Sequence, residues 1–201
     1  MEGSSVRKLV TAGALGAVSV VMAVTPLGFL PWFGGASLTI MHIPVIIAAV
    51  LEGPLAGTIV GLIFGVSSLM KAGIAPTSAF DPLFTNPLVS VLPRLFIGVA
   101  AWAVFRLFRG KFTPLASGVA GAVGGFTNTV LVLGMLGIAE GPRLASVTGL
   151  ESGGIVPFLA GIAVSNGLIE AAAAAVLTAA VVTAWKGIAG GGKARLADED
   201  K

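Results

Sequence analysis

Apolar residues in this chain neither alternate nor trace a narrow helical stripe. They come in long blocks separated by short polar breaks. Blocks of that length predict membrane-spanning helices, since about 20 apolar residues cross a bilayer. The first runs from about Leu9 to Leu30, with Pro26, Pro31, Gly34 and Gly35 marking its exit. A shorter second block covers Ser37 to Leu51, and a third runs from the Glu52-Gly53-Pro54 turn to about Met70. Lys71 to Pro87 is a polar, proline-rich loop, after which the fourth block ends at Phe105. The fifth covers Leu115 to Ile138, a loop takes Ala139 to Gly154, and the sixth covers Ile155 to Trp185. That last block is longer than a bilayer needs, so it is tilted or begins as an interfacial turn. The expected fold is an all-α membrane protein, a compact bundle of six transmembrane helices over residues 9–185. It is flanked by a short N-terminus, 1–8, and a Gly-rich, then charged tail, 186–201, expected to be mobile.

Composition makes the same point from another side. Of 201 residues, 56% are hydrophobic and 10% charged, and the mean hydropathy is +1.01. A soluble domain of this size exposes too much surface to hide that much apolar material. Short alternating strands of a membrane barrel are absent. The first block lacks an Ala-x-Ala cleavage site and reads as a retained span. With no cysteine, disulfides, thiolate metal sites and cysteine nucleophiles are excluded.

Charge orients the bundle. Six spans put both termini on one side, together with Arg7, Lys8, Arg106, Arg109, Lys111, Lys186, Lys193, Arg195 and Lys201. The other side receives Lys71 and Arg143. The positive-inside rule then places both termini in the cytoplasm. The net charge of +3 is spread through loops, so nucleic acid is not implied.

Small residues point to close helix crossings. Gly57, Gly61 and Gly65 recur every four residues in the third span, and Gly121 and Gly125 do so in the fifth. Such stripes let backbones approach where no hydrophobic effect drives packing. In the first span Ala12/Gly16 and Gly13/Ala17 form similar faces beside Arg7-Lys8, suited to internal packing or to a docking partner.

Four polar residues interrupt the later spans: Arg94, Asn128, Asn166 and Glu170. A cation on a membrane helix is costly and normally has a partner or a job, and Pro93 loosens the turn at Arg94. Asn166 and Glu170, four apart, share one helix face. The set can line a polar cavity, or it can lock the bundle through an Arg94–Glu170 pair and amide hydrogen bonds. Arg94 lies nearer the end of its span than the others, which argues against the direct pair, and it can also snorkel to headgroups. Few aromatics line the later spans, which weakens the case for a flat ring substrate stacked between side chains.

Signals for catalysis are weak. Gly187 to Ala194 comes close to a phosphate-binding loop but lacks the Ser/Thr for magnesium and a preceding strand. Gly65-Val66-Ser67-Ser68 is no nucleophile elbow, and the one histidine, His42, at an outer helix end, makes no triad. No catalytic residue, metal site or cofactor is expected, and nothing argues for an enzyme.

His42-Ile43-Pro44-Val45-Ile46, Glu52-Gly53-Pro54-Leu55-Ala56-Gly57 and Gly61-Leu62-Ile63-Phe64-Gly65 resemble the second and third helices of a known family. These are the substrate-binding S components of energy-coupling factor (ECF) vitamin transporters. Pro93-Arg94-Leu95-Phe96-Ile97-Gly98, Thr127-Asn128-Thr129 and Asn166-Gly167-Leu168-Ile169-Glu170 look like the matching features of the later helices. The resemblance covers about Leu9 to Trp185. It implies a multi-pass protein of a prokaryotic plasma membrane that captures a vitamin outside the cell. Delivery would pass through a shared module of one transmembrane T subunit and two ATPases.

The family's first helix carries an Ala-x-x-x-Ala type docking patch. The matching positions here are Ala12 and Gly16, or Gly13 and Ala17. Its site lies in the outer half, between the later helices and the loops after the first and third spans. Expected substrate-binding residues are therefore Arg94, Asn128, Asn166 and Glu170, with Ser90, Asn86 and Trp32 beside them. The chain looks most like the pantothenate-type members. Arg94 suits a carboxylate, and the two asparagines suit amide and hydroxyl groups. Folate, cobalamin or a pyridoxine-like compound are the alternatives within the family. A self-sufficient secondary carrier, with Glu170 as coupling residue, and a purely structural assembly subunit are the alternatives outside it.

Overall fold

The protein is described by a computed structural model covering residues 2–25, 27–31, 37–108 and 112–199. Helix α1 (Glu2–Val24) stops short of the end of its apolar run, ahead of Pro26. Phe29–Pro31 and Ser37–Thr39 then pair as antiparallel strands β1 and β2, with Leu30 opposite Leu38. The second apolar block is therefore part strand, part helix. Its helix, α2 (His42–Glu52), is 11 residues long, about 16 Å at the α-helical rise. That is roughly half the thickness of a bilayer's hydrocarbon core.

Among the described residues five helices are long and apolar enough to cross a membrane, and α2 is not one of them. Every residue from His42 to Val50 is buried. α2 runs inside the bundle and packs on α1, α3 (Pro54–Ile74), α5 (Leu92–Leu107), α6 (Thr113–Thr148) and α7 (Ile155–Glu199). Between its terminal His42 and Glu52 the helix is wholly apolar, which suits a position where no face of it meets water. The hairpin and α2 together still return the chain to its starting end. Arg7 Nε lies 3.1 Å from Glu52 Oε1, so the end of α2 sits beside the start of α1.

The remaining helices alternate. Lys71 near the end of α3 stands 4.5 Å from the Phe29 ring of β1, at the hairpin end. A 3-10 turn (Asp81–Thr85) and the short helix α4 (Pro87–Ser90) lead into α5. Lys186 of α7 lies 4.9 Å from the Phe105 ring of α5. One expectation about the later chain needs correcting. α6 continues through the segment read as a loop, with Pro142 inside it, and ends where Gly149 turns left-handed at φ 71°. α7 runs on as helix to Glu199.

The glycine stripe of α3 faces α4 and α5. A Cβ on Gly57 would fall 3.0 Å from Gly98 Cα, one on Gly65 2.8 Å from Val91 Cα, and one on Gly61 onto the Arg94 carbonyl oxygen. Gly121 and Gly125 allow the same approach of α6 to α7, against Ala174 and Ala171. On α1, Ala12 and Gly16 turn inward, where Gly16 meets the Ile63 side chain. Gly13 and Ala17 turn outward, and nothing lies within 4 Å of a Cβ built on Gly13.

Candidate functional site

The small residues that bring α3 to α5 and α6 to α7 leave an open cavity at the hairpin end. Its walls come from every element around it. The hairpin supplies Phe29, Ser37 and Thr39, and α3 supplies Ser68, Lys71 and Ala72. The 75–86 segment supplies Ser78, Phe80, Asp81 and Phe84. α5 gives Arg94, α6 gives Asn128 and Thr129 above an apolar strip, and α7 gives Phe158, Ile162, Asn166 and Glu170.

All four polar residues that interrupt the later spans therefore line one cavity. Arg94 is buried, and its Nη1 donates to the Val89 carbonyl, the acceptor freed just before Pro93 restarts the helix. Its Nε has no hydrogen-bond partner among the described residues. The guanidinium carbon sits 5.2 Å from the Phe64 ring and 5.8 Å from the Phe84 ring. Such contacts moderate the cost of a buried cation.

Glu170 lies within ion-pair distance of no cation among the described residues; the pairs there are Arg7–Glu52, Lys71–Asp81 and Arg143–Glu140. Glu170 Oε1 accepts the Thr39 amide at 2.7 Å, and Oε2 accepts the Thr129 hydroxyl at 3.0 Å. The carboxylate thus ties strand β2 to α6 and α7. Asn166 Oδ1 accepts from Ser165 at 3.0 Å, while Asn128 Oδ1 is buried without a partner among the described residues.

The other expected positions lie elsewhere. Ser90 is buried and donates to the Phe84 carbonyl. Asn86 caps α4, accepting the Leu88 amide at 3.0 Å, and donates to Glu140 at 2.8 Å. Both brace the segment over the cavity; neither is part of its wall. Trp32 lies outside the described residues. His42 is fully buried in α2, and neither ring nitrogen has a partner among the described residues.

Lys71 and Asp81 are wall residues that sequence reasoning passed over as loop charges. Lys71 Nζ lies 3.1 Å from Asp81 Oδ2. Asp81 also accepts the Thr77 amide at 2.5 Å, the Ser78 amide at 3.2 Å and the Ser78 hydroxyl at 2.8 Å. Burial alone would raise the Asp81 carboxyl, but these donors and the Lys71 ammonium hold it below the usual aspartate value. Aromatics were missed too. Phe29, Phe80, Phe84 and Phe158 line the cavity, and Phe80 stacks on Phe158 with centroids 6.2 Å apart. The sparse aromatics of the later spans therefore understate the wall, because most of these rings arrive from the hairpin and the 75–86 segment.

The fold and the cavity define a multi-pass membrane protein with a largely apolar pocket into which a few polar and charged side chains are set. Residues 7–182 match the family of ECF transporter substrate-specific components, and the chain belongs to that family. It is 28% identical over 189 residues to the pantothenate transporter PanT of Leuconostoc mesenteroides, covering 90% of this chain and 93% of that protein. It is 30% identical over 159 residues to the pantothenic acid transporter PanT of Lactococcus lactis subsp. cremoris, covering 73% and 76%.

Proposed function

We propose that this protein is the substrate-capturing subunit of an ECF transporter and that its substrate is pantothenate. It binds the vitamin on the outer side of a prokaryotic plasma membrane, with both termini cytoplasmic. Cargo is released inside through a T subunit and two ATPases. The observation that carries the reading is Arg94, a buried cation on the cavity wall with no carboxylate within ion-pair distance among the described residues. A ligand carboxylate completes its coordination through charge-assisted hydrogen bonds. Asn128, Asn166 and Ser68 supply polar contacts for the amide and hydroxyls of pantothenate. The outward Gly13/Ala17 face of α1 is the docking register for the T subunit. The names of the two relatives support the choice of vitamin.

The test is titration calorimetry of the purified protein with pantothenate, with uptake measured in vesicles with and without the ATPase-bearing module. Saturable binding, with uptake only when the module is present, is expected. Uptake by the protein alone would identify a self-sufficient carrier instead. The four phenylalanines of the wall favour a second reading, a ring-bearing vitamin such as folate or a pyridoxine-like compound. Tight binding of either, with none of pantothenate, replaces the first reading by the second.

A further inference from the structure

The cavity wall carries two cations and two anions, and they are used unequally. Lys71 and Asp81 are in contact at 3.1 Å, their side chains only 16% and 14% exposed. Asp81 is pinned in place by Thr77 and Ser78, so it cannot swing aside to free the ammonium without breaking those bonds. Both oxygens of Glu170 are taken up by Thr39 and Thr129. Arg94 is left as the wall cation with no carboxylate within ion-pair distance among the described residues.

We infer that Asp81 is a specificity-determining residue: by holding Lys71 neutralised on the cavity wall it restricts the site to singly charged anions. The inference rests on the pantothenate reading. One ligand carboxylate takes Arg94. A second anionic group in the same cavity meets no available cation, and it meets the Asp81 carboxylate as a like charge. A wall that repels the wrong ligand is a common route to selectivity, because discrimination is a difference between two affinities. A fixed carboxylate beside a lysine supplies such a filter without a further contact to the correct ligand.

The test compares pantothenate with its phosphate ester on the primary hydroxyl, a group that adds a charge of about −1.5 to −2 at neutral pH. The quantity read is the ratio of the ester's Kd to that of pantothenate. In the native protein the ester binds at least about a hundredfold more weakly. Asp81→Asn keeps the shape and an acceptor while removing the charge, and the ratio falls by roughly tenfold. Adding Lys71→Met to Asp81→Asn brings the ratio back to the native value or above. The double variant also controls for the ester's size, which is the same in each protein. Lys71→Met alone raises the ratio, and it stands as the readout if Asp81→Asn does not give a folded protein. An unchanged ratio in Asp81→Asn overturns the inference, as does a fall that survives the double substitution or, in the fallback, an unchanged ratio in Lys71→Met. If the native protein binds no pantothenate at all, the functional reading fails and takes this inference with it. Pantothenate binding with no effect of Asp81 on the ratio sinks the inference alone.

Discussion

At the end of the bundle where α1 begins, Glu52 is buried against Arg7 at 3.1 Å, with the Thr11 hydroxyl at 3.4 Å. At the hairpin end Glu170 is equally buried, yet among the described residues it is held by an amide and a hydroxyl, and Arg94 in the same cavity has no carboxylate within ion-pair distance. The first end has spent its charges on itself. The second has kept a cation unpaired in an environment where that is expensive. A protein that needed only to fold would gain by pairing the two or replacing both. The difference teaches where to look for a ligand: not where polar residues are, but where they are buried and incompletely matched.

The largest disturbance comes from the crossing on which the cavity hangs. Gly61→Leu would drive a side chain into the Arg94 carbonyl and toward Val45 Cγ1, 3.5 Å from the ideal Cβ. α5 must move to admit it, and overpacking against backbone on this scale costs at least about 3 kcal/mol. Loss of a cooperative thermal transition in detergent is expected, together with loss of ligand binding. A native melting profile would mean that α3 and α5 have room to spare.

Arg94→Ala attacks the unmatched end directly. Removing one partner of a buried charge pair costs roughly 2–5 kcal/mol of binding, while the melting temperature without ligand changes far less. Calorimetry and melting curves on the same sample separate the two. A collapse of unliganded stability with normal affinity in the surviving protein would make Arg94 a structural lock.

The matched end should answer in the opposite way. Glu52→Gln breaks the pair with Arg7, whose side chain is 67% exposed, so the loss is modest, about 1 kcal/mol of stability. Pantothenate affinity is expected to stay within twofold, or about 0.4 kcal/mol. A loss of affinity comparable to that of Arg94→Ala would show that the two ends are not independent.

Much of this was legible in the chain. Arg94, Asn128, Asn166 and Glu170 stand out because an otherwise apolar helix has only the bundle interior in which to place a polar group. The four-residue stripes of α3 and α6 are readable for the same reason, since small residues at that spacing serve close packing. The rest depends on tertiary placement. Lys71 and Asp81 look like solvated loop charges until the 75–86 segment folds over the cavity. Phe80 and Phe158 are indistinguishable in sequence from lipid-facing rings. Ser37–Thr39 runs directly into the apolar residues of α2, and so short a stretch does not reveal whether it is strand or helix. One cue was available: Lys71 is the lone cation between Lys8 and Arg94, and a charge that isolated invites a search for its partner.

The smallest effect on the isolated protein, and the sharpest contrast between faces, belongs to α1. It is the least buried of the five long helices, with 22% of its apolar window buried. Successive residues turn by about 100°, so Ala12/Gly16 and Gly13/Ala17 are adjacent faces with the same spacing and different surroundings. Gly16 meets Ile63, whereas Gly13 meets nothing within 4 Å and Ala17 is exposed. Gly13→Trp with Ala17→Trp therefore adds two indoles to an outer surface and should leave pantothenate affinity and melting nearly unchanged. A partner helix seated on that groove would be held off by several Å, because close crossings need backbones about 8–10 Å apart or less. Co-purification with the ATPase-bearing module and uptake are expected to be lost. Ala12→Trp with Gly16→Trp should instead lower the melting temperature, since it wedges α1 away from α3. Should the outward pair leave uptake intact, the module docks on another face; should it destroy binding as well, α1 packs more tightly than its exposure indicates.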